Sequence, residues 1–182
     1  MVSRVEGRTL AQARLAQHLL ATGLGRTSLR ELAAAAGISD RMLLYYFKDK
    51  PEALSAAVAV VAAQLTTQLG AAVPDGTQLS AKALVETAVA FTTQPQTRPI
   101  MRLWIELVAA AARAEAPYPA IARQIADGFI DWTQSRLDPV EHDDPRATAA
   151  AIIALIDGLA VVAVCADDDL VERAAASLSK LV

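Results

Sequence analysis

The sequence is short of the residues that would give it chemistry of its own. Its 182 positions hold one cysteine, Cys165, which excludes an intramolecular disulfide framework and a zinc cluster built on cysteine. There are two histidines, His18 and His142, and neither belongs to a His-x-x-x-His or Glu-x-x-His pair at helical spacing. The run Glu141-His142-Asp143-Asp144 reads as a solvated acidic loop. No glycine-rich phosphate loop follows a strand. No metal and no cofactor are therefore expected, and an all-α enzyme stands only as an alternative. Cys165, in an apolar segment, is expected to be a buried and inert thiol. Residues 1–8 lack the apolar stretch of a secretory signal, which sets the expectation of a cytoplasmic protein.

With only 8 glycines and 8 prolines, and no sustained period-two alternation, the chain is not expected to form a sheet. Forty alanines stand in their place, within a hydrophobic share of 54%. Alanine loses no side-chain entropy in a helix, so the composition points to an all-α protein with a sizeable core. Charge is sparse at 20%, and the net value of −3 conceals an asymmetry. Residues 1–50 carry eight basic against four acidic side chains, whereas residues 51–182 carry nine against sixteen. A basic head on an acidic body suggests that the head meets a polyanion, either nucleic acid or a membrane surface.

One segment is long enough to cross a bilayer, ATAAAIIALIDGLAVVAVCA at 147–166. Asp157 at its midpoint would cost roughly 2.5–3.5 kcal/mol on the insertion scale. Asp144-Pro145 before it has the form of an N-cap and an N1 proline. The segment reads as a buried helix of a soluble protein.

Prolines, glycines and caps mark out the helices. Thr9-x-x-Gln12 is a capping-box pattern opening a first helix that runs to about Gly23. Ser28-x-x-Glu31 opens a short second helix that Gly37 ends, and Ser39 caps a third from Asp40 to about Phe47. Asp49-x-x-Glu52 opens a fourth helix that ends near Gly70. Further helices are expected over 79–94, 98–115, 119–137, 145–165 and 168–181. In the helix at 119–137, Ile121, Ile125, Gly128/Phe129 and Trp132 form one stripe.

The first fifty residues have the arithmetic of a helix-turn-helix. Ala33 is small where two helices cross, and Gly37 occupies a tight turn where a positive φ would strain any side chain. Leu32, Ile38, Leu43 and Phe47 supply the contacts that hold the angle. Arg30, Arg41, Lys48 and Lys50 stay outside. This segment, continued through Tyr45-Tyr46-Phe47-Lys48-Asp49-Lys50-Pro51-Glu52-Ala53-Leu54, resembles the DNA-binding domain of the tetracycline-repressor (TetR) family of bacterial regulators. The resemblance covers roughly residues 9–54.

The resemblance implies a DNA-binding head over 1–50 and a helical ligand-binding and dimerisation body over 51–182. It implies that helix 40–47 enters the major groove, with its N-terminal residues, Asp40, Arg41, Met42 and Leu44, near the bases. Arg30 occupies a position suited to pairing with a guanine. Tyr45, Tyr46 and Lys50 match phosphate clamps, and Ser28 and Ser39 offer hydroxyls and helix-start amides. Leu44 and Met42 depart from the family's usual tyrosine and threonine, replacing polar readout by apolar contact to a thymine methyl. A tyrosine-tyrosine-phenylalanine run is also a common core element, and Phe47 with one tyrosine ring is expected to be buried.

For the body, the resemblance implies a small-molecule cavity and a homodimer through helices about 119–137 and 145–165. The residues give partial support. A helix apolar nearly all round must be covered on both sides, and a second copy is the natural cover. Phe91, Arg102, Trp104, Glu106, Phe129 and Asp157 are the candidate ligand residues, although Arg102 and Glu106 also form a ready i,i+4 pair. The expected function is a transcriptional regulator, most simply a repressor released from a near-palindromic operator by a small molecule. A regulator controlled by a protein partner is the other alternative.

Overall fold

The computed structural model describes residues 3–25, 27–139 and 143–181. Among them the helices are α1 (Arg4–Thr22), α2 (Leu29–Ala36), α3 (Asp40–Tyr46), α4 (Lys50–Ala72), α5 (Ala81–Thr92), α6 (Arg98–Ala112), α7 (Tyr118–Gln134), α8 (Pro145–Cys165) and α9 (Asp168–Leu181). A 3-10 turn at Pro95–Thr97 leads into α6. No strand occurs among the described residues, as the composition predicts. The acidic run beginning at Glu141-His142 lies in part outside the described residues. Two compact units form, Met1–Gln64 with Leu103–Arg123, and Leu65–Arg102 with Gln124–Val182.

In the first unit α1 starts earlier than expected. Ser3, not Thr9, is its cap: the Ser3 hydroxyl accepts the Glu6 N–H at 3.2 Å, and the Glu6 carboxylate accepts the Ser3 N–H at 2.8 Å. Glutamate offers a charged acceptor at that position, which Gln12 cannot. The backbone N–H of Ser3 and then its hydroxyl hold the Glu6 carboxyl below its ordinary pKa. Thr9 sits inside the helix and donates its hydroxyl to the Val5 carbonyl. Helices α1, α2 and α3 pack on one another through Leu15, Leu19, Leu32, Ala33, Leu43 and Phe47, each at most 1% exposed.

The second unit has its core on α5, α8 and α9. Leu84, Val85 and Val89 meet Ala149, Ile152 and Leu159, with Val171, Ala175 and Leu137 closing the cluster. A β-bridge between Leu79 and Leu137 ties the stretch before α5 to the stretch after α7. Its hydrogen bonds run from Leu79 N–H to the Arg136 carbonyl at 2.8 Å and from Asp138 N–H to the Leu79 carbonyl at 3.0 Å. As expected, Asp144 caps α8, accepting the Ala147 N–H at 3.0 Å, with Pro145 in the first turn.

Helix α8 is only half covered by its own chain. Ala149, Ile152, Leu159 and Ala160 are buried, while Ala147, Ala151, Ala154, Gly158, Val161, Val162 and Cys165 lie exposed. At 100° per residue those seven positions fall on one face. That corrects the expectation for Cys165, whose thiol is exposed rather than buried. Helices α4 and α8 both have the length and hydropathy of a membrane span. Core helices pass the same test, and in α8 the midpoint Asp157 opposes insertion.

Candidate nucleic-acid interface

The turn between α2 and α3 is built by glycine. Gly37 lies in the left-handed region at φ 70°, ψ 33°, and its N–H bonds the Ala34 carbonyl at 3.0 Å. Ile38 N–H reaches back to the Ala33 carbonyl at 3.0 Å, closing the C-terminus of α2. Arg14 of α1 donates to the Ala36 carbonyl at 2.8 Å, capping the same end from outside. A Cβ at position 37 would sit 2.7 Å from an Arg14 Nη. Gly37→Ala therefore combines left-handed strain with a displaced Arg14, and we expect a loss of about 1–2 kcal/mol in urea denaturation. An unchanged midpoint would show that the turn does not need glycine.

The serines cap both helices. The Ser28 hydroxyl accepts the Glu31 N–H at 3.2 Å, while the Ser28 N–H and hydroxyl both donate to the Glu31 carboxylate. That hydroxyl is thus engaged on both sides, leaving Ser28 less to offer a phosphate than the resemblance implies. Ser39 accepts the Met42 N–H at 3.3 Å and starts α3.

Helix α3 divides cleanly by face. Leu43 and the following Phe47 are buried at 0 and 1%, while Met42, Leu44 and Tyr45 are 37, 46 and 53% exposed. Asp40 and Arg41 are exposed beside them. Of the aromatic run, Phe47 is core, as expected. Tyr46 is half-buried, with its ring against Gly7 of α1, where a Cβ would meet Cζ at 2.7 Å. Tyr45 points outward, its ring 5.5 Å from that of Tyr46. Lys50 is half-buried at the start of α4. Among the described residues no carboxylate pairs with Arg30 or Arg41, and both are exposed.

Other cations of the head are committed internally. Arg8 pairs with Glu52 at 2.7 Å and lies 5.2 Å from the centroid of Phe47. Glu52 also accepts the Lys48 N–H at 2.7 Å, and its own N–H bonds Asp49 at 2.8 Å. The sequence reading missed Arg4. Its guanidinium stands 4.8 Å over the Tyr45 ring and donates to the Tyr45 carbonyl at 3.2 Å, so it joins the exposed face of α3. Forty-one residues separate the pair, and no local periodicity could have announced it.

The six expected ligand residues fall in both compact units. Phe91, Phe129 and Asp157 are half-buried and Arg102 is exposed in the second, while Trp104 and Glu106 are half-buried in the first. Glu106 is already engaged. Its carboxylate accepts the Leu24 N–H at 2.6 Å and covers Gly23, whose φ of 72° ends α1. An acceptor held by a backbone amide is a poor ligand anchor, so Glu106 is reassigned to the end of α1. Among the described residues no His, Cys, Asp and Glu group has the makings of a metal site.

Residues 15–58 match the family described as bacterial regulatory proteins, tetR family, and residues 80–182 match that described as BetI-type transcriptional repressor, C-terminal. The second match alone spans more than half of the chain. The chain belongs to the TetR family of bacterial regulators. It is accordingly a DNA-binding transcriptional regulator, and the α2–turn–α3 segment is its helix-turn-helix. Solved structures share the fold across the length of this TetR-family chain. A putative TetR-family regulator from Rhodococcus sp. is 20% identical, with TM-score 0.76, covering 97% of this chain and 98% of that one. The multidrug binding protein EbrR complexed with proflavin is 23% identical, TM-score 0.66, with coverage of 97% and 100%. A putative regulator from Saccharomonospora viridis in complex with choline is 16% identical, TM-score 0.65, with coverage of 97% and 96%. Against curated protein sequences nothing matches.

Proposed function

We propose that this regulator is a cytoplasmic homodimeric repressor that binds a near-palindromic operator and leaves it when a small molecule occupies the body. The head would comprise residues 1–50 and the ligand-binding, dimerising body residues 51–182. The observation that carries the DNA reading is the outward face of α3. A seven-residue helix that buries Leu43 and leaves Met42, Leu44 and Tyr45 in solvent is shaped to contact something outside the chain. Arg41 gives that face positive charge, and Arg4, stacked on Tyr45, extends it. Arg30 of α2 is a further exposed cation of the helix-turn-helix. In the major groove Met42 and Leu44 would meet thymine methyls, Arg30 a guanine, and Tyr45, Tyr46 and Lys50 the phosphates. Ser39 and Asp40 lie at the leading end of the helix, while Ser28 contributes chiefly the amide end of α2.

Selection from random duplexes with the purified chain tests this. We expect an inverted repeat whose half-sites lie about one helical turn apart, mirroring a two-fold dimer. Arg30→Ala should relax preference at one base pair by about 1–3 kcal/mol. Lys50→Ala should weaken all duplexes alike and lower the salt slope by about one. If neither substitution alters any duplex affinity, these contacts are misassigned.

The exposed apolar face of α8 supports the dimer, because a second copy would cover it. α7 would flank the seam with its polar face, where Asp127 and Asp131 pair with Arg146 of α8. Gly128 and Gly158 both face open space in the single chain, and a close helix crossing gives glycine a reason to be there. The small-molecule reading is supported by the ligand-bound neighbours of the same fold. Phe91, Phe129 and Arg102, all of the second unit, remain its candidate lining, with Asp157 as a polar group within α8.

A further inference from the structure

We infer that the indole N–H of Trp132 is the polar anchor of the effector site, and that it takes an apolar molecule bearing an unprotonated oxygen acceptor, a carbonyl or a carboxylate, rather than a cation. The inference rests on the effector reading above and gives that effector its chemistry. Trp132 lies on α7 in the second unit. Its Nε1 is buried and, among the described residues, has no hydrogen-bond partner. A buried donor without an acceptor is destabilising, and native chains leave few of them.

The surroundings make this donor unusual. Arg136, four residues on in the turn that follows α7, is almost fully buried, yet its polar atoms are answered. Its Nε donates to the Val73 carbonyl at 3.1 Å, one Nη donates to Ser135 Oγ at 2.8 Å and to the Trp132 carbonyl at 3.3 Å, and the other pairs with Asp75. The buried Thr97 hydroxyl likewise reaches the Phe91 carbonyl at 3.0 Å. The same unit that satisfies a buried guanidinium leaves one indole N–H unmet.

Charge decides the class of ligand. The Arg136 guanidinium stands 4.1 Å from the centroid of the Trp132 ring. A cation on that face draws electron density from the ring, strengthens the N–H as a donor and repels a second cation. On the same face of α7 lie Ile125 and Phe129, both half-buried, so an apolar strip runs along the helix to Trp132. An apolar strip with one donor suits an aromatic or aliphatic body carrying one oxygen acceptor.

The test uses the full chain labelled with 15N, whose two indole signals belong to Trp104 and Trp132. Trp104→Phe and Trp132→Phe each assign them, so failure of one variant to fold does not spoil the assignment. The probes are 2-naphthoate and 2-acetylnaphthalene as acceptors, with choline and proflavin as cations. We expect an acceptor probe to shift the Trp132 indole proton downfield in a saturable way, leaving Trp104 unmoved. Trp132→Phe should then bind that probe roughly tenfold more weakly. The inference is overturned if neither acceptor probe moves the Trp132 signal, if Trp132→Phe binds as tightly as the parent, or if the cations bind in preference. Duplex binding, measured on the same samples, separates the two readings. Lost selectivity for any duplex in the parent chain overturns the regulator reading itself, whereas intact duplex binding with an unresponsive Trp132 overturns the effector chemistry alone.

Discussion

Gly158→Glu is expected to leave the chain as helical as the parent while abolishing the proposed dimer. Nothing lies within 4 Å of a Cβ built at position 158, so the single chain has room for the new side chain. Replacing a mid-helix glycine even favours the helix, by roughly 0.5–1 kcal/mol on going to alanine. At a seam between two copies of α8 the sign reverses. Gly158 lies centrally among Ala151, Ala154, Val161 and Val162 on the exposed face, and a carboxylate there would be buried without a partner. Sedimentation at micromolar concentration should show a monomer. Affinity for an inverted-repeat duplex should fall by about 100-fold or more, because the second half-site is no longer bound intramolecularly. Circular dichroism should stay unchanged. A variant that still sediments as a dimer and keeps its duplex affinity would move the interface away from this face.

The second large effect belongs to the head. Phe47→Ala is expected to cost about 3–5 kcal/mol, a substantial part of the total stability of an ordinary domain. Phe47 is 1% exposed, follows directly on α3, and lies under the Arg8 guanidinium, which in turn holds Glu52 against the Lys48 N–H. Removing the ring opens a cavity at the junction of α1, α3 and the start of α4. For a chain of this length the midpoint of thermal unfolding should drop by roughly 6–20 °C. Phe47→Leu, which keeps most of the volume, should cost under about 1.5 kcal/mol. A drop of less than about 2 °C for the alanine variant would show that the ring is not part of the core.

Much of the fold was legible in advance, for a reason visible at single residues. Helix caps and turn glycines act within three or four positions, so Ser28-x-x-Glu31, Gly37, Ser39 and Asp144-Pro145 could be read directly, and each does the work assigned to it. The start of α1 was misplaced because two capping patterns stood six residues apart and only the charged one prevailed. Formal charge overstated the head as a polyanion surface. Arg8 and Arg14 count in its excess, yet one is tied to Glu52 and the other to the Ala36 carbonyl.

The sequence by itself determined the all-helical class, the helix-turn-helix and its turn, and the family to which they belong. Each of these is set by short-range spacing, by the conformational freedom of glycine and by the helical preference of alanine. Only the tertiary structure decided which of two adjacent tyrosines faces outward, that Arg4 stacks on Tyr45, that Glu106 holds the end of α1, and that Cys165 and one face of α8 stay uncovered. These depend on contacts between residues tens of positions apart, or on the partner a helix face lacks. Composition and periodicity carry no record of either.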